Sequence, residues 1–218
     1  MDKHVIAHRG FWAGLPHTQN TFSSISSAIR KGYEVEIDLR LAKNGNIYIS
    51  HDRVEEGEKF WLTDLLECYS EYPYLFDNVY FLHVKDNPNR MRGPLKKILE
   101  KYTKIKFVIF GVNQYIEKYV KDFGESSIAY EWETSVRGSF LGALVTKASN
   151  VWLAPTGRDF TFESIKSLSK KRSLFLVASD VYNRPHSKPI YWNFVSGVCT
   201  DVPQIYKKNH FKLIKQND

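Results

Sequence analysis

Short apolar runs that end in polar residues recur along the chain, and amphipathic segments separate most of them. Val5-Ile6-Ala7-His8 reads as a strand that delivers polar groups at its C-terminal end. Glu34-Val35-Glu36-Ile37-Asp38 alternates charged and apolar residues, the pattern of a strand with one wet face. Between them, Phe22 to Lys31 reads as a helix capped by Asn20 or Thr21 and closed at Gly32. Lys43-Asn44-Gly45-Asn46 is a hairpin-type turn into a short strand from Ile47 to Ser50. Further strands are predicted from Val79 to Lys85, Lys106 to Phe110, Ser127 to Trp132, Val151 to Ala154, Leu174 to Val177 and Val195 to Thr200. Helices are expected from Thr63, from Pro94 to Lys101, from Asn113 to a stop at Gly124, around Val136 to Leu144, from Thr161 to Ser169, and after Pro203.

Strands that alternate with helices across short connections describe a parallel α/β fold. The main strands, centred on Val5, Val35, Tyr80, Phe107, Ile128, Val151, Leu174 and Val198, number eight. That count predicts a closed (β/α)8 TIM barrel, with residues 1–218 as a single domain. The chain has no glycine-rich phosphate loop of the dinucleotide or P-loop type, which weakens the open-sheet alternative.

In such a barrel the C-terminal strand ends carry the chemistry. Here they present His8-Arg9-Gly10, the pair Glu36 and Asp38, His51-Asp52, and His83 with Lys85. Residues two apart on a strand point the same way, so Glu36 and Asp38 repel unless a cation lies between them. Each residue also has a plainer reading. His8 alone is a core histidine, Glu36 and Asp38 can form a surface ion cluster with Arg40, and Lys85 can be a strand-end lysine. Glu131 and Trp132 end the fifth barrel strand, where packing and substrate contact are equally open. Asp201 is read as structural, a cap before Pro203, while His4, His17 and His186 have no partner that the sequence names.

Composition adds bounds. Hydrophobic residues at 43% and charged residues at 25% are ordinary for a globular protein, and a net charge of +7 favours anionic partners. The basic runs at Lys170-Lys171-Arg172 and near Lys207-Lys208 come without a nucleic-acid-binding motif and read as solvated faces. Cys68 and Cys199 give no disulfide framework or metal spacing and are expected as buried thiols. With no apolar run near 18 residues and no leader at the start, a soluble, cytoplasmic protein without a membrane span is expected.

The ordered set His8-Arg9-Gly10, Asn20-Thr21, Gly32, Glu36-x-Asp38, Asn44-Gly45, His51-Asp52, Lys85 and Gly197-Val198-Cys199-Thr200-Asp201-x-Pro203 resembles the glycerophosphodiester phosphodiesterase family. The resemblance is dense up to about residue 85 and again over 197–203. It implies a small barrel of the PLC-like phosphodiesterase type that hydrolyses a small-molecule phosphodiester with a divalent cation, Mg²⁺ or Ca²⁺. By the resemblance, His8 and His51 act as general acid and base, Arg9 and Lys85 hold phosphate, and Glu36 and Asp38 bind the metal. The phosphodiester chemistry independently asks for neutralised charge and for proton transfer near neutral pH.

Two departures stand out: Gln19 occupies a position where the family has glutamate, and His83 replaces a third metal carboxylate. Imidazole suits Mn²⁺, Zn²⁺ or Fe²⁺ better than Mg²⁺, so His83 is open as a metal ligand, a substrate contact or a mark of weakened metal binding. The family's tryptophan motif on the seventh strand is absent from Val177-Ala178-Ser179-Asp180. Rival readings are a lyase-type cleavage that ends at a cyclic phosphate and a silent barrel that binds a phosphorylated ligand.

Overall fold

A computed structural model describes residues 3–70, 72, 78–136, 139–156, 160–182 and 189–206. Its sheet has nine strands: β1 (His4–His8), β2 (Glu34–Leu41), β3 (Ile47–Ile49), β4 (Val79–Val84), β5 (Lys106–Phe110), β6 (Ala129–Glu133), β7 (Asn150–Ala154), β8 (Ser173–Val177) and β9 (Gly197–Thr200). Neighbours run β5-β4-β2-β1-β9-β8-β7-β6, all parallel. The two ends of that path meet through a parallel bridge between Ile109 and Ile128, which brings the sheet close to a full circle. The eight parallel strands thus form the expected (β/α)8 barrel. β3 stands outside it, antiparallel to the end of β2 across the Lys43–Asn46 turn.

Alternation sorts side chains between two layers. On β2, Val35, Ile37 and Leu39 pack outward beneath the helices with Ala28, Leu82 and Leu95. Glu36 and Asp38 point the other way, into the barrel, and each is only 1% exposed. The face expected to be wet is therefore the barrel interior, and both faces of this strand are buried. Deeper in the barrel, Ile6, Phe81, Phe110, Trp152, Phe175 and Cys199 fill the interior. Phe110 stacks on Trp152 at 4.2 Å and Phe81 meets Phe175 edge-on at 4.8 Å. Each such ring contributes about 2–3 kcal/mol by leaving water. This apolar plug forms a floor beneath the polar strand ends.

The helices are α1 (Phe22–Arg30), α2 (Leu62–Ser70), α3 (Pro88–Lys101), α4 (Ile116–Phe123), α5 (Ser139–Val145) and α6 (Phe162–Ser169). Thr21 caps α1 through a reciprocal box with Ser24, so Asn20 is left for other work. α3 begins six residues before the expected start. Asn87 accepts from the Asn89 and Arg90 amides and Pro88 opens the first turn, while Pro94 lies inside the helix. Asn87-Pro88 was the stronger start signal. A 3₁₀ turn, Asn113–Tyr115, precedes α4, and residues 203–206 are helical after Thr200.

Several smaller expectations change. His4 has a partner, Glu34, at 3.0 Å. Cys68 is half-buried, whereas Cys199 is buried as expected. Lys170 and Lys171 are exposed, but Arg172 tucks back to donate to the Thr146 carbonyl at 2.6 Å. His186, Lys207 and Lys208 lie outside the described residues. Among the described residues no helix is long and apolar enough to cross a membrane.

Candidate active site

The site is hung on the turn that follows β1. Arg9 and Gly10 both take left-handed backbone conformations, at φ 58° and 88°. For an arginine this costs about 1 kcal/mol, so neighbours must hold it in place. The Arg9 carbonyl accepts from the Asn20 amide at 2.9 Å and from Ser24 Oγ at 3.2 Å. A side chain at position 10 would meet Ser24 at 2.6 Å, so only glycine lets α1 approach the turn. In His8-Arg9-Gly10, then, the glycine is there for close packing and the other two residues carry functional groups.

Strand register supplies the next step. His8 lies opposite Glu36 across β1–β2, and Asp38 lies opposite His83 across β2–β4. Glu36 Oε2 accepts from the Arg9 backbone amide at 3.2 Å and lies 3.9 Å from His8 Nε2. Asp38 Oδ2 pairs with Arg9 Nε at 3.0 Å and accepts from Asn20 Nδ2 at 2.9 Å. The other oxygens, Glu36 Oε1 and Asp38 Oδ1, turn toward His83 Nδ1 at 3.7 and 3.3 Å. Lys85 Nζ stands 3.9 Å from Asp38 Oδ1. Arg9 also donates to Gln19 Oε1 at 2.9 Å, so the glutamine at this position still holds the guanidinium. Arg40 takes no part in the acid pair: it binds Asp86 at 3.0 Å and the His51 carbonyl.

The two carboxylates titrate apart. Burial, and then the charge of Asp38, push Glu36 up to about 7. Burial acts on Asp38 in the same direction, but hydrogen bonding and charge from His83, with Arg9 and Asn20, outweigh it and hold Asp38 well below the usual range. Burial lowers His83, against the pull of Asp38. One fixed negative charge and one convertible carboxyl thus share the barrel mouth.

His8, Arg9, Glu36, Asp38, His83 and Lys85 are joined by contacts of 3.9 Å or less. His51 stands further out, at the end of β3, with Nδ1 2.9 Å from the exposed Asp52. Burial lowers its pKa, and it feels the charges of Arg9, Asp38 and Lys85, which places it in electrostatic reach of the cluster. Glu36, Asp38 and His83 offer donor atoms within 4.8 Å of one another, a spread that one cation can bridge.

Asp201 is the residue whose role the sequence missed. Its Oδ1 meets His8 Nδ1 at 2.7 Å, and its own amide is held by Asp180 Oδ2 at 2.8 Å. It therefore orients the imidazole, while the neighbouring Val202 amide donates to Thr200 Oγ1. Barrel closure was the available signal, because the last strand of such a barrel lies beside the first. Trp132 is packing: it lies outward against Phe140 and Phe160. Glu131 lies on the inward face and, with Lys85, Asn113 and Glu133, lines a cavity of about 470 Å³ beside the cluster.

No protein-family model matches the chain, and no curated protein does. Solved structures do. A phosphodiesterase from Oleispira antarctica, in complex with its product sn-glycerol-3-phosphate, aligns with a TM-score of 0.72 at 16% identity, over 94% of this chain and 95% of that one. A glycerophosphodiester phosphodiesterase from Parabacteroides distasonis gives 0.67 at 15% identity, over 96% and 98%. One from Thermotoga maritima gives 0.63 at 20% identity, over 95% and 99%. The barrel shares the fold of these phosphodiesterases. At these identities the likeness is one of fold, and the site is judged on its own geometry.

Proposed function

We propose that this chain is a phosphodiester hydrolase that acts, as a single barrel domain, on a glycerophosphodiester or a similar small phospho-alcohol diester. The observation that carries this reading is the joint position of His8, Arg9, Glu36, Asp38, His83 and Lys85 at one end of a barrel whose solved neighbours are phosphodiesterases. In this reading the anionic phosphate sits against Arg9 and Lys85, which offset its charge. His8 keeps Nδ1 on Asp201, so Nε2 is the atom that gives or takes a proton. His51 handles the opposite transfer, with Nδ1 on Asp52. Glu36 and Asp38 fit a divalent cation, because each leaves one oxygen unclaimed by Arg9, Asn20 or His8. A cation bound there would neutralise negative charge on the phosphate and position it.

The test is turnover of a panel of small phosphodiesters with Mg²⁺, Ca²⁺, Mn²⁺ or a chelator, read by ³¹P NMR. Wild type is expected to release a phosphomonoester in the presence of metal, with His8→Ala and Glu36→Ala each slower by about 10²-fold or more. A persistent cyclic phosphate would replace the hydrolase with a lyase-type reaction. Phosphate-ester binding without turnover of any diester would leave a silent barrel.

A further inference from the structure

We infer that His83 is a third metal ligand, and that the site built around it selects a nitrogen-accepting divalent ion of the first transition series over Mg²⁺ or Ca²⁺. The inference rests on the cation-assisted reading above. It answers a question that the sequence leaves open, whether this histidine binds metal, touches substrate or marks a decayed site.

Orientation decides between the first two. His83 Nδ1 is the ring atom aimed at Glu36 Oε1 and Asp38 Oδ1, at 3.7 and 3.3 Å. The opposite edge of the ring lies against Gly111, where a Cβ would stand 2.9 Å from His83 Cδ2, 3.4 Å from Nε2 and 2.7 Å from the Val84 carbonyl. The ring face stacks on Phe110 at 4.4 Å. A substrate contact would leave an inward-facing nitrogen clear of the carboxylates; here Nδ1 points at the acid pair and Nε2 lies on the edge beside Gly111.

Construction speaks against decay. Phe110 lies beneath the imidazole, and Gly111, at φ 78°, supplies the space beside it. The carboxylates are oriented to match. Arg9 and Asn20 occupy Asp38 Oδ2, and the Arg9 amide with His8 occupies Glu36 Oε2. That leaves Oδ1 and Oε1 facing the imidazole, with Lys85 beyond hydrogen-bond range at 3.9 Å. Two carboxylate oxygens and one imidazole nitrogen form a mixed donor set. Hard cations prefer oxygen throughout, whereas Mn²⁺, Fe²⁺ and Zn²⁺ accept the nitrogen.

The experiment reads metal binding without turnover. Mn²⁺ is titrated into metal-free protein, and nitrogen hyperfine coupling to the bound ion is measured by pulsed electron paramagnetic resonance. Coupling is expected in wild type and in His8→Ala, and its loss is expected in His83→Glu. By calorimetry, His83→Glu should reduce the preference for Mn²⁺ over Mg²⁺ by about 10-fold or more, since it returns an all-oxygen set. Gly111→Ala, which keeps every donor residue but displaces the imidazole ring, should weaken Mn²⁺ more than Mg²⁺.

Absence of nitrogen coupling, coupling that survives His83→Glu, or an unchanged metal preference would overturn the assignment, as would failure of Mn²⁺ to bind. The two proposals fail separately. Nitrogen coupling without cleavage of any diester removes the hydrolase and keeps the ligand. Metal-dependent cleavage without coupling does the reverse.

Discussion

The barrel carries two acid pairs with the same spacing, Glu36-x-Asp38 on β2 and Glu131-x-Glu133 on β6. Both lie on the inward face toward the C-terminal ends of their strands. Their surroundings differ. The first pair meets Arg9, Asn20 and His83 directly, with His8 and Lys85 at 3.9 Å. At the second, Asn113 binds only the backbone of Glu131, at 2.7 and 2.9 Å. Among the described residues the Glu131 carboxylate has no hydrogen bond or ion pair. Burial, and then the charge of Glu133, push it up to about 7, and Lys85 offsets this only in part. Two carboxylates two residues apart thus present free oxygens in fixed places only where their neighbours hold the other oxygens. β2 receives those neighbours from β1, β4 and the turn before α1, and β6 receives none of them.

The most severe way to break the contrast is to remove one charge from each pair without changing shape. Asp38→Asn is expected to lower diester turnover by about 10²–10³-fold, since it removes a preorganised charge at the reacting centre. Glu131→Gln should leave turnover within about 3-fold. Steady-state kinetics on the substrate found by the diester panel decides this, and the reverse ranking would move the reaction centre to β6. A smaller effect tests why the β2 pair stays ordered. Asn20 both donates to Asp38 Oδ2 and accepts from the Asp38 amide, at 2.9 and 3.3 Å. Asn20→Ala strips both from a buried position and should cost about 2 kcal/mol in urea unfolding. A loss below about 0.5 kcal/mol would mean that water reaches this end of β2 and replaces the side chain.

The same contrast explains what could be read in advance. The barrel was legible because alternation and strand count are local signals, and His8, Arg9, Glu36, Asp38, His83 and Lys85 all sit at ends of strands that those signals located. What escaped depends on distance through the fold. Asp201 reaches His8 only because β9 closes against β1, a contact across 193 residues. Asn20 read as a helix cap because its neighbour Thr21 has the same capping chemistry, and only the packed turn shows which of the two caps. The wet face predicted for β2 became the barrel interior, since alternation gives sidedness without saying what covers each side. For its place beside His83, Gly111 carried no signal, as that role is the space that it leaves.

The mildest test concerns the uncompensated pair alone. Glu131 is raised from about 4.5 to about 7 in the folded protein, so the fold binds its proton more tightly than the unfolded chain does. Its contribution to stability is therefore fully present below about pH 4.5 and is lost as pH rises through about 7. Such a shift corresponds to roughly 3 kcal/mol, and partial solvent access to the half-buried carboxylate reduces this to about 1–2 kcal/mol. Glu131→Gln keeps the shape and removes the titration. The variant should match wild type near pH 4.5 and exceed it by about 1–2 kcal/mol at pH 8, measured by urea unfolding at both values. Glu36→Gln is the informative control, because that side chain also sits near 7 but accepts from the Arg9 amide and faces His8 and His83. Glutamine keeps one oxygen for the Arg9 amide but sets an amide N–H₂ among those groups, so the gain at pH 8 is expected to be smaller for Glu36→Gln than for Glu131→Gln. Gains of equal size in both variants would mean that the groups around Glu36 do not hold its charge, and the distinction between the two acid pairs would collapse.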